Sequence, residues 1–203
     1  MTTISEIITR WDAGDGKPYK GSLIDWKAYE AEPDGLGCMC AQGQVLHLIG
    51  GRSFDDLRNM QQQEADRQTA ALLNISRAHA ILLRQVNDSV DGAPSIVLTD
   101  PGKVLGNQWS KLLDFWWHLD QMTAKAWAAA GDAARAAAWD AAGAAAGAAA
   151  WAAAGDAAGD AAREIQGALI FRAAKRPFYF LPLFGFADPA AIPARPANYG
   201  VPA

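Results

Sequence analysis

The residues from Trp127 to Arg163 form a strict four-residue repeat, which limits how this part of the chain can fold. The first position of each unit is Trp, Gly or Arg, the second is Ala, Asp or Glu, and two alanines follow until Ile165. The codons TGG, GGG and CGG, for Trp, Gly and Arg, differ only in their first base. The pattern therefore indicates an expanded repeat of four codons, in which individual side chains are weakly constrained.

The composition of the repeat predicts an α-helix. Alanine has the highest helix propensity, and the five glycines at first positions each cost about 1 kcal/mol relative to alanine. On a helix, a period of four residues advances about 40° per unit, so the first positions spiral around the axis. A straight helix of about 40 residues is about 60 Å long. We therefore expect a helix that either projects from the rest of the chain or folds into a hairpin.

Small side chains allow helices to approach each other closely, so the repeat also predicts a packing or self-association surface. The residues assigned to this surface are Trp139, Gly143, Gly147, Trp151, Gly155 and Gly159. A homo-oligomer is the expected result. Packing of the repeat against the rest of the same chain is the alternative, and it leaves a monomer.

The whole sequence predicts a mainly α-helical fold with at most a small β element. We expect a globular body at residues 1–122, the repeat as a long helix or helical hairpin at 123–176, and an extended apolar segment with a Pro-rich tail at 177–203. The tail is expected to be loose. The segment Ser95–Thr99, with the sequence Ser-Ile-Val-Leu-Thr, is the strand candidate.

Apolar periodicity and helix-boundary signals place several helices in the body. Ser53 is a predicted N-cap with Asp56 as its capping-box partner, and the helix after it either continues through the Gln-rich stretch or breaks within it. A strongly apolar helical pattern over residues 65–86 is interrupted at residues 74–76. The other predicted helices cover residues 4–11, 21–29, 38–49 and 108–121.

Bulk composition argues against two classes of function. A net charge of −4 and a pI near 5.3 disfavour binding to nucleic-acid phosphates, which requires a basic face. No apolar stretch is long enough for a membrane span, and the first residues lack the apolar core of a signal peptide. We therefore expect a cytoplasmic protein with no membrane partner and no cofactor, in which Cys38 and Cys40 are free thiols.

Residues 68–86 resemble the helix-turn-helix of excisionase-type and repressor DNA-binding domains. In that interpretation Ser76, Arg77 and Arg84 face phosphates or bases. The segment departs from the pattern at Ala80, where a branched apolar residue is usual, and it carries apolar bulk where a recognition helix needs a polar face. A buried helical hairpin is therefore the favoured interpretation, and a DNA-binding regulator is the alternative.

Thiol and imidazole side chains raise the question of metal binding or nucleophilic catalysis. The candidates are Cys38, Cys40, His47, His79 and His118. Their spacing fits no usual zinc site, so no metal site is predicted. A Cys/His-dependent enzyme, with Asn87 or Asp88 orienting the base, is a second alternative. Buried structural cysteines are the favoured interpretation, and no catalytic residue is assigned.

The repeat and three segments outside it together resemble the tetrapeptide-repeat proteins encoded by mycobacteriophages. These segments are residues 38–44 (Cys-Met-Cys-Ala-Gln-Gly-Gln), 86–94 (Val-Asn-Asp-Ser-Val-Asp-Gly-Ala-Pro) and 180–186 (Phe-Leu-Pro-Leu-Phe-Gly-Phe). The resemblance covers nearly the whole chain. It implies a phage accessory protein in the cytoplasm of an infected actinobacterium, with a repeat number that varies between relatives.

The expected function follows from the missing catalytic signature and from the variable repeat. We expect a non-enzymatic phage accessory protein that binds a host or phage macromolecule or a small signal molecule. A host protein is an expected partner, as is a second copy of the chain, whereas DNA is disfavoured.

Overall fold

The computed structural model describes residues 2–31, 35–89, 94–106, 109–130, 132 and 189–200. Within these residues the structure is mostly helical, and the only β feature is an isolated antiparallel bridge between Ile24 and Met39. The predicted mainly α-helical fold is therefore confirmed. The predicted long repeat helix or hairpin lies largely outside the described residues.

The helices follow one another with short connections through the first part of the chain. Their bounds are α1 (Ile4–Ala13), α2 (Trp26–Ala31), α3 (Ala41–Leu48), α4 (Phe54–Asn59), α5 (Gln62–Leu73), α6 (Arg77–Ser89), α7 (Ile96–Thr99), α8 (Gly102–Leu105) and α9 (Trp109–Gln121). Short 3₁₀ helices lie at Leu36–Cys38 and Pro189–Ala191. Residues 124–130, which include the start of the repeat, are also helical.

The backbone forms two compact units, one made of Met1–Ser110 with Pro196–Ala203 and the other of Lys111–Arg195. In the first unit α3, α5 and α6 pack against one another, and α6 also contacts α7. Eight residues of helix α6 are buried. They are Ala78, His79, Ala80, Ile81, Leu82, Leu83, Val86 and Asn87.

Two helices of the first unit begin with capping boxes. The Thr3 backbone N–H donates to the Glu6 carboxylate at 2.7 Å, and this bond is the main cause of the lowered pKa of Glu6. The predicted pair of Ser53 and Asp56 is confirmed, and hydrogen bonds from the Ser53 hydroxyl and N–H lower the pKa of Asp56. Helix α4 ends before Met60, which is extended (φ −74°, ψ 131°), so the helical pattern does break within the Gln-rich stretch.

The helix predicted over residues 38–49 begins later than expected. Cys40 is extended and caps α3, with its Sγ accepting a hydrogen bond from the Gly43 N–H at 3.4 Å. The Cys40 N–H donates to the Leu23 carbonyl at 3.2 Å, which holds this residue outside the helix. A Cβ at Gly43 would lie 2.1 Å from the same carbonyl oxygen, so only glycine permits this close approach.

The strand prediction for Ser95–Thr99 is wrong, because Ile96–Thr99 form the helical turn α7. Thr99 donates both its backbone N–H, at 2.9 Å, and its hydroxyl, at 3.0 Å, to the Ser95 carbonyl. Val97 is 0 % exposed, so the apolar run does mark a buried segment. A short apolar run does not distinguish a strand from a buried helical turn, and no strand lies beside it in the described part of the chain.

The interruption predicted at residues 74–76 is confirmed as the turn between α5 and α6. Asn74 adopts the left-handed conformation (φ 49°, ψ 48°), and its N–H donates to the carbonyls of Ala70 and Ala71. Asparagine tolerates this conformation better than most residues, which explains why α5 ends here. The Ser76 hydroxyl then accepts a hydrogen bond from the His79 N–H at 3.2 Å and caps α6.

Most of α9 belongs to the second unit, and the helix confirms the prediction over residues 108–121. Phe115 and Trp116 are 2 % and 1 % exposed, so this helix supplies core residues to that unit. Asp114 is also buried, and it accepts a hydrogen bond from the Arg195 guanidinium at 2.6 Å. The pairing of opposite charges offsets the cost of burying the carboxylate.

Candidate recognition site

The turn between α5 and α6 brings together Asn74, Ser76 and His79, which we call the α5–α6 corner. Ser76 is 0 % exposed and His79 is 3 % exposed. His79 Nε2 lies 2.8 Å from the Val97 carbonyl oxygen, which can only accept, so Nε2 carries a proton. In the neutral imidazole His79 Nδ1 is then an acceptor.

Tyr199, from the far end of the chain, binds these two groups. Its hydroxyl oxygen accepts a hydrogen bond from the Ser76 N–H at 3.1 Å and lies 3.0 Å from His79 Nδ1, to which the hydroxyl donates. The Ser76 hydroxyl oxygen lies 3.3 Å from the same phenol oxygen. The phenol ring also stacks on the imidazole, with centroids 5.8 Å apart and planes 14° from parallel. One side chain thus serves both a donor and an acceptor of the corner.

Asn74 holds the backbone on either side of that tyrosine. Its carboxamide Nδ2 donates to the Asn198 carbonyl at 2.5 Å, and its own carbonyl accepts from the Gly200 N–H at 3.0 Å. The expectation of a loose Pro-rich tail is therefore wrong for residues 196–200. This contact has no signal in the sequence, because its partners are more than 120 residues apart and share no periodic pattern.

The residues that would contact DNA in the helix-turn-helix interpretation lie in three different environments. Ser76 is enclosed in the corner, Arg77 is exposed at the start of α6, and Arg84 is half-buried against Asp66. Along α6 only Arg77 and Ser89 are classed as exposed. A recognition helix needs an exposed polar face to enter the major groove, so this geometry favours the buried helical hairpin over DNA binding.

The half-buried Arg84 belongs to a polar group that we call the interior cluster, which consists of Gln42, Gln62, Asp66 and Arg84. The Asp66 carboxylate accepts hydrogen bonds from the carboxamides of Gln42, at 2.8 Å, and Gln62, at 3.2 Å. The Arg84 guanidinium lies 3.4 Å from the same carboxylate. Gln42 also donates to the Ala80 carbonyl at 3.0 Å. These bonds connect α3, α5 and α6, so the cluster stabilises the packing of the three helices.

The two cysteines are held within the fold. The Cys38 thiol donates to the Gly35 carbonyl at 2.9 Å, and the Cys40 sulfur caps α3. Burial raises the pKa of the Cys40 thiol to about 11. Only about one molecule in 10,000 then carries the thiolate at pH 7, and the thiolate is the form that attacks electrophiles and binds metals. Cys40 is thus placed as a helix cap and not as a nucleophile.

Asn87 and Asp88, the candidates for orienting a catalytic base, hold a loop instead. The Asn87 carboxamide donates to the Tyr19 carbonyl at 2.7 Å, and the Asp88 carboxylate accepts from the Gly21 N–H at 2.9 Å. The charges that act on the Cys40 pKa include those of Asp88 and Arg84. This part of the structure ties the loop before α2 to the end of α6.

The three candidate histidines have different surroundings. His79 is in the corner, and His47 stacks on Phe54 with its Nδ1 2.6 Å from the Arg52 carbonyl. His118 lies in the second unit, where burial lowers its pKa. In the part of the chain that the structure describes, no group of three or more His, Cys, Asp or Glu residues could hold a metal ion.

A row of half-buried aromatic rings crosses α2, α4 and the end of α3. The ring centroids of Trp26 and Tyr29 are 4.9 Å apart, those of Tyr29 and Phe54 are 4.4 Å apart, and those of Phe54 and His47 are 4.6 Å apart. The Arg58 guanidinium lies 4.4 Å above the Trp26 ring. The ring faces are therefore largely used by neighbours within the row, which ties these helices together.

The proposed self-association residues Trp139, Gly143, Gly147, Trp151, Gly155 and Gly159 lie outside the described residues. None of the described helices is long and apolar enough to cross a membrane.

Comparison with known proteins adds no further information about the site. No protein-family model, no curated protein and no solved structure matches this chain. In the α5–α6 corner, a separate segment of the chain is held mainly by polar contacts.

Proposed function

We propose that this chain is a non-enzymatic phage accessory protein that binds a macromolecular partner or a small signal molecule in the cytoplasm of an infected actinobacterium. The observation that carries the proposal is the α5–α6 corner, where the fold holds a separate peptide segment through hydrogen bonds to Asn74, Ser76 and His79. A fold that holds one short segment in this way has the groups needed to recognise another.

The thiol and imidazole groups support the non-enzymatic part of the proposal. The Cys40 thiol has a raised pKa and caps a helix, and both ring nitrogens of His79 have hydrogen-bond partners. General acid–base or nucleophilic catalysis requires such groups to reach a substrate. Here they are used within the fold.

Affinity capture of the intact chain from infected cells tests the proposal. We expect one phage or host protein, or one small molecule, to be enriched over a tag-only control, and to bind the purified chain again in calorimetry. The Asp15→Asn variant is a second bait that should capture the same partner as the wild type, because Asp15 is exposed and far from the corner in sequence. If nothing is enriched by either bait, the chain is not the binding protein that we propose.

We propose further that the repeat mediates self-association, which Trp139, Gly143, Gly147, Trp151, Gly155 and Gly159 would support by close helix packing. Sedimentation of the wild type beside Gly147→Leu tests this part. We expect the wild type to assemble and the variant to assemble less, because leucine blocks close approach of the backbones. A wild type that stays monomeric at high concentration would rule out the oligomer.

A further inference from the structure

We propose that the α5–α6 corner is a peptide-binding site that is filled by the chain's own segment Pro196–Gly200 and that takes a tyrosine-containing segment of a partner protein in its place. This inference rests on the proposed function, because it assumes that the chain binds a protein partner. It names the site and the chemistry that the partner must supply.

The groups that receive the segment belong to the helices, and their positions do not depend on Pro196–Gly200. The left-handed conformation of Asn74 is held by bonds from its N–H to α5, and Ser76 is fixed as the cap of α6. His79 is oriented by its bond to the Val97 carbonyl. The donor and acceptor that bind a hydroxyl group are thus already positioned, which lowers the entropic cost of binding.

The occupying segment is held differently. None of the residues 196–200 is buried: Ala197 and Asn198 are exposed, and the other three are half-buried. The segment therefore removes little apolar surface from water, and its docking depends mainly on hydrogen bonds and one ring contact. Its own turn, closed by a bond from the Tyr199 N–H to the Pro196 carbonyl at 3.0 Å, is local and leaves with it. Such a segment can be displaced by a competitor that makes the same bonds.

The contacts define what a competitor must carry. A phenol hydroxyl is needed to accept from the Ser76 N–H and to donate to His79 Nδ1 at the same time. A backbone carbonyl before the tyrosine must accept from the Asn74 carboxamide, and a backbone N–H after it must reach the Asn74 carbonyl. The partner is therefore a turn-forming peptide segment with an internal tyrosine, and phenylalanine is a poor substitute.

Peptide binding to the full chain tests the proposal. The probe is a fluorescent peptide with the sequence of residues 194–200, Ala-Arg-Pro-Ala-Asn-Tyr-Gly, and the readout is fluorescence anisotropy. We expect the full-length Tyr199→Ala chain to bind this peptide about tenfold more tightly than the wild type, in which the site is occupied most of the time. A peptide with phenylalanine in place of tyrosine should bind about tenfold more weakly than the probe.

Two further variants test the site in case Tyr199→Ala is unstable and test the contribution of Asn74. Tyr199→Phe removes only the hydroxyl from the chain, so it should bind the probe more tightly than the wild type even if Tyr199→Ala proves unstable. Adding Asn74→Gly to Tyr199→Ala removes the carboxamide donor and keeps a residue that adopts φ 49° readily, so α5 keeps its cap and the probe should bind about fivefold more weakly.

Equal affinity of the probe for the wild type and both Tyr199 variants would overturn the assignment, as would equal binding of the tyrosine and phenylalanine peptides. If affinity capture still identified a partner in that case, the chain would be a binding protein that uses another surface. Failure of the peptide test is therefore distinguishable from failure of the proposed function.

Discussion

The interior cluster and the α5–α6 corner use similar hydrogen bonds, but different parts of the chain supply them. Asp66 and its partners all come from α3, α5 and α6, which pack against one another. In the corner the central hydroxyl comes from Tyr199, which is 120 residues beyond His79 and lies in a segment with no buried residue. The comparison indicates that a polar contact is structural where packed helices supply all of its groups, and exchangeable where a separate segment with no buried residue supplies one of them.

The largest effect is expected when Asp66 is replaced by asparagine. The Asp66→Asn variant keeps the shape of the side chain but removes its charge, and its amide places N–H donors where the partners also donate. Arg84 and the two glutamines are then left with poorly matched partners in a site where Asp66 and Gln42 are buried. We expect the free energy of unfolding to fall by about 3 kcal/mol in urea denaturation.

Asp15→Asn is the matched control for this substitution, because Asp15 is exposed. It should change the free energy of unfolding by less than about 0.5 kcal/mol. An Asp66→Asn chain as stable as the control would mean that the interior cluster does not hold the three helices together, and the contrast with the corner would disappear.

The helix boundaries differ in how well they could be predicted from the sequence. The break at Asn74 and the Ser53–Asp56 box were predictable, because capping depends on residues close together in the chain. The late start of α3 was not, since it depends on Leu23 and on the lack of a Cβ at Gly43.

The α5–α6 corner could not be predicted from the sequence either, because it also depends on a contact between distant residues. Ser76 faces DNA only in the alternative helix-turn-helix interpretation, which stayed open because a local pattern contains no information about what covers a residue. Its partner Tyr199 had no signal of its own, since a single tyrosine in a Pro-rich stretch has no periodicity that indicates docking. Local chemistry thus predicted where the helices end, whereas long-range contacts decide which side chains remain available for binding.

A second prediction concerns how the free energy of unfolding depends on pH through the thiol of Cys40. This residue caps α3, the helix that carries Gln42. The folded pKa of this thiol is raised to about 11, above its ordinary value of 9.0. Above pH 9 the unfolded chain therefore loses the proton while the folded chain keeps it, so stability falls as pH rises. Between the two pKa values we expect a loss of about 1.4 kcal/mol per pH unit from this group.

Cys40→Ser isolates that contribution, because serine can still accept the hydrogen bond from the Gly43 N–H but does not titrate in this range. The measurement is urea denaturation from pH 8 to pH 10, comparing slopes and not absolute stabilities. The variant should lose less stability with rising pH than the wild type. Parallel slopes would show that the thiol is not protonated preferentially in the folded state.

The smallest of these effects is expected at the corner itself. Tyr199→Phe removes one hydroxyl, and with it the acceptor for the Ser76 N–H and the donor to His79 Nδ1, but leaves the ring contact in place. The segment is not buried, so water can replace part of what is lost. We expect the free energy of unfolding to fall by only about 1 kcal/mol, less than for Asp66→Asn.

The effect of Tyr199→Phe on hydrogen exchange near Ser76 should be clearer than its effect on the free energy of unfolding. Hydrogen exchange of the Ser76 amide should become about tenfold faster in Tyr199→Phe, while amides in the centre of α6 change little. Tyr19→Phe is the control, because it removes a hydroxyl from an exposed tyrosine of the same unit and should leave Ser76 exchange unchanged. If protection from hydrogen exchange were lost throughout α6, the segment Pro196–Gly200 would be part of the cooperative fold. If only the Ser76 region responds, the segment opens independently of the helices, as an exchangeable contact requires.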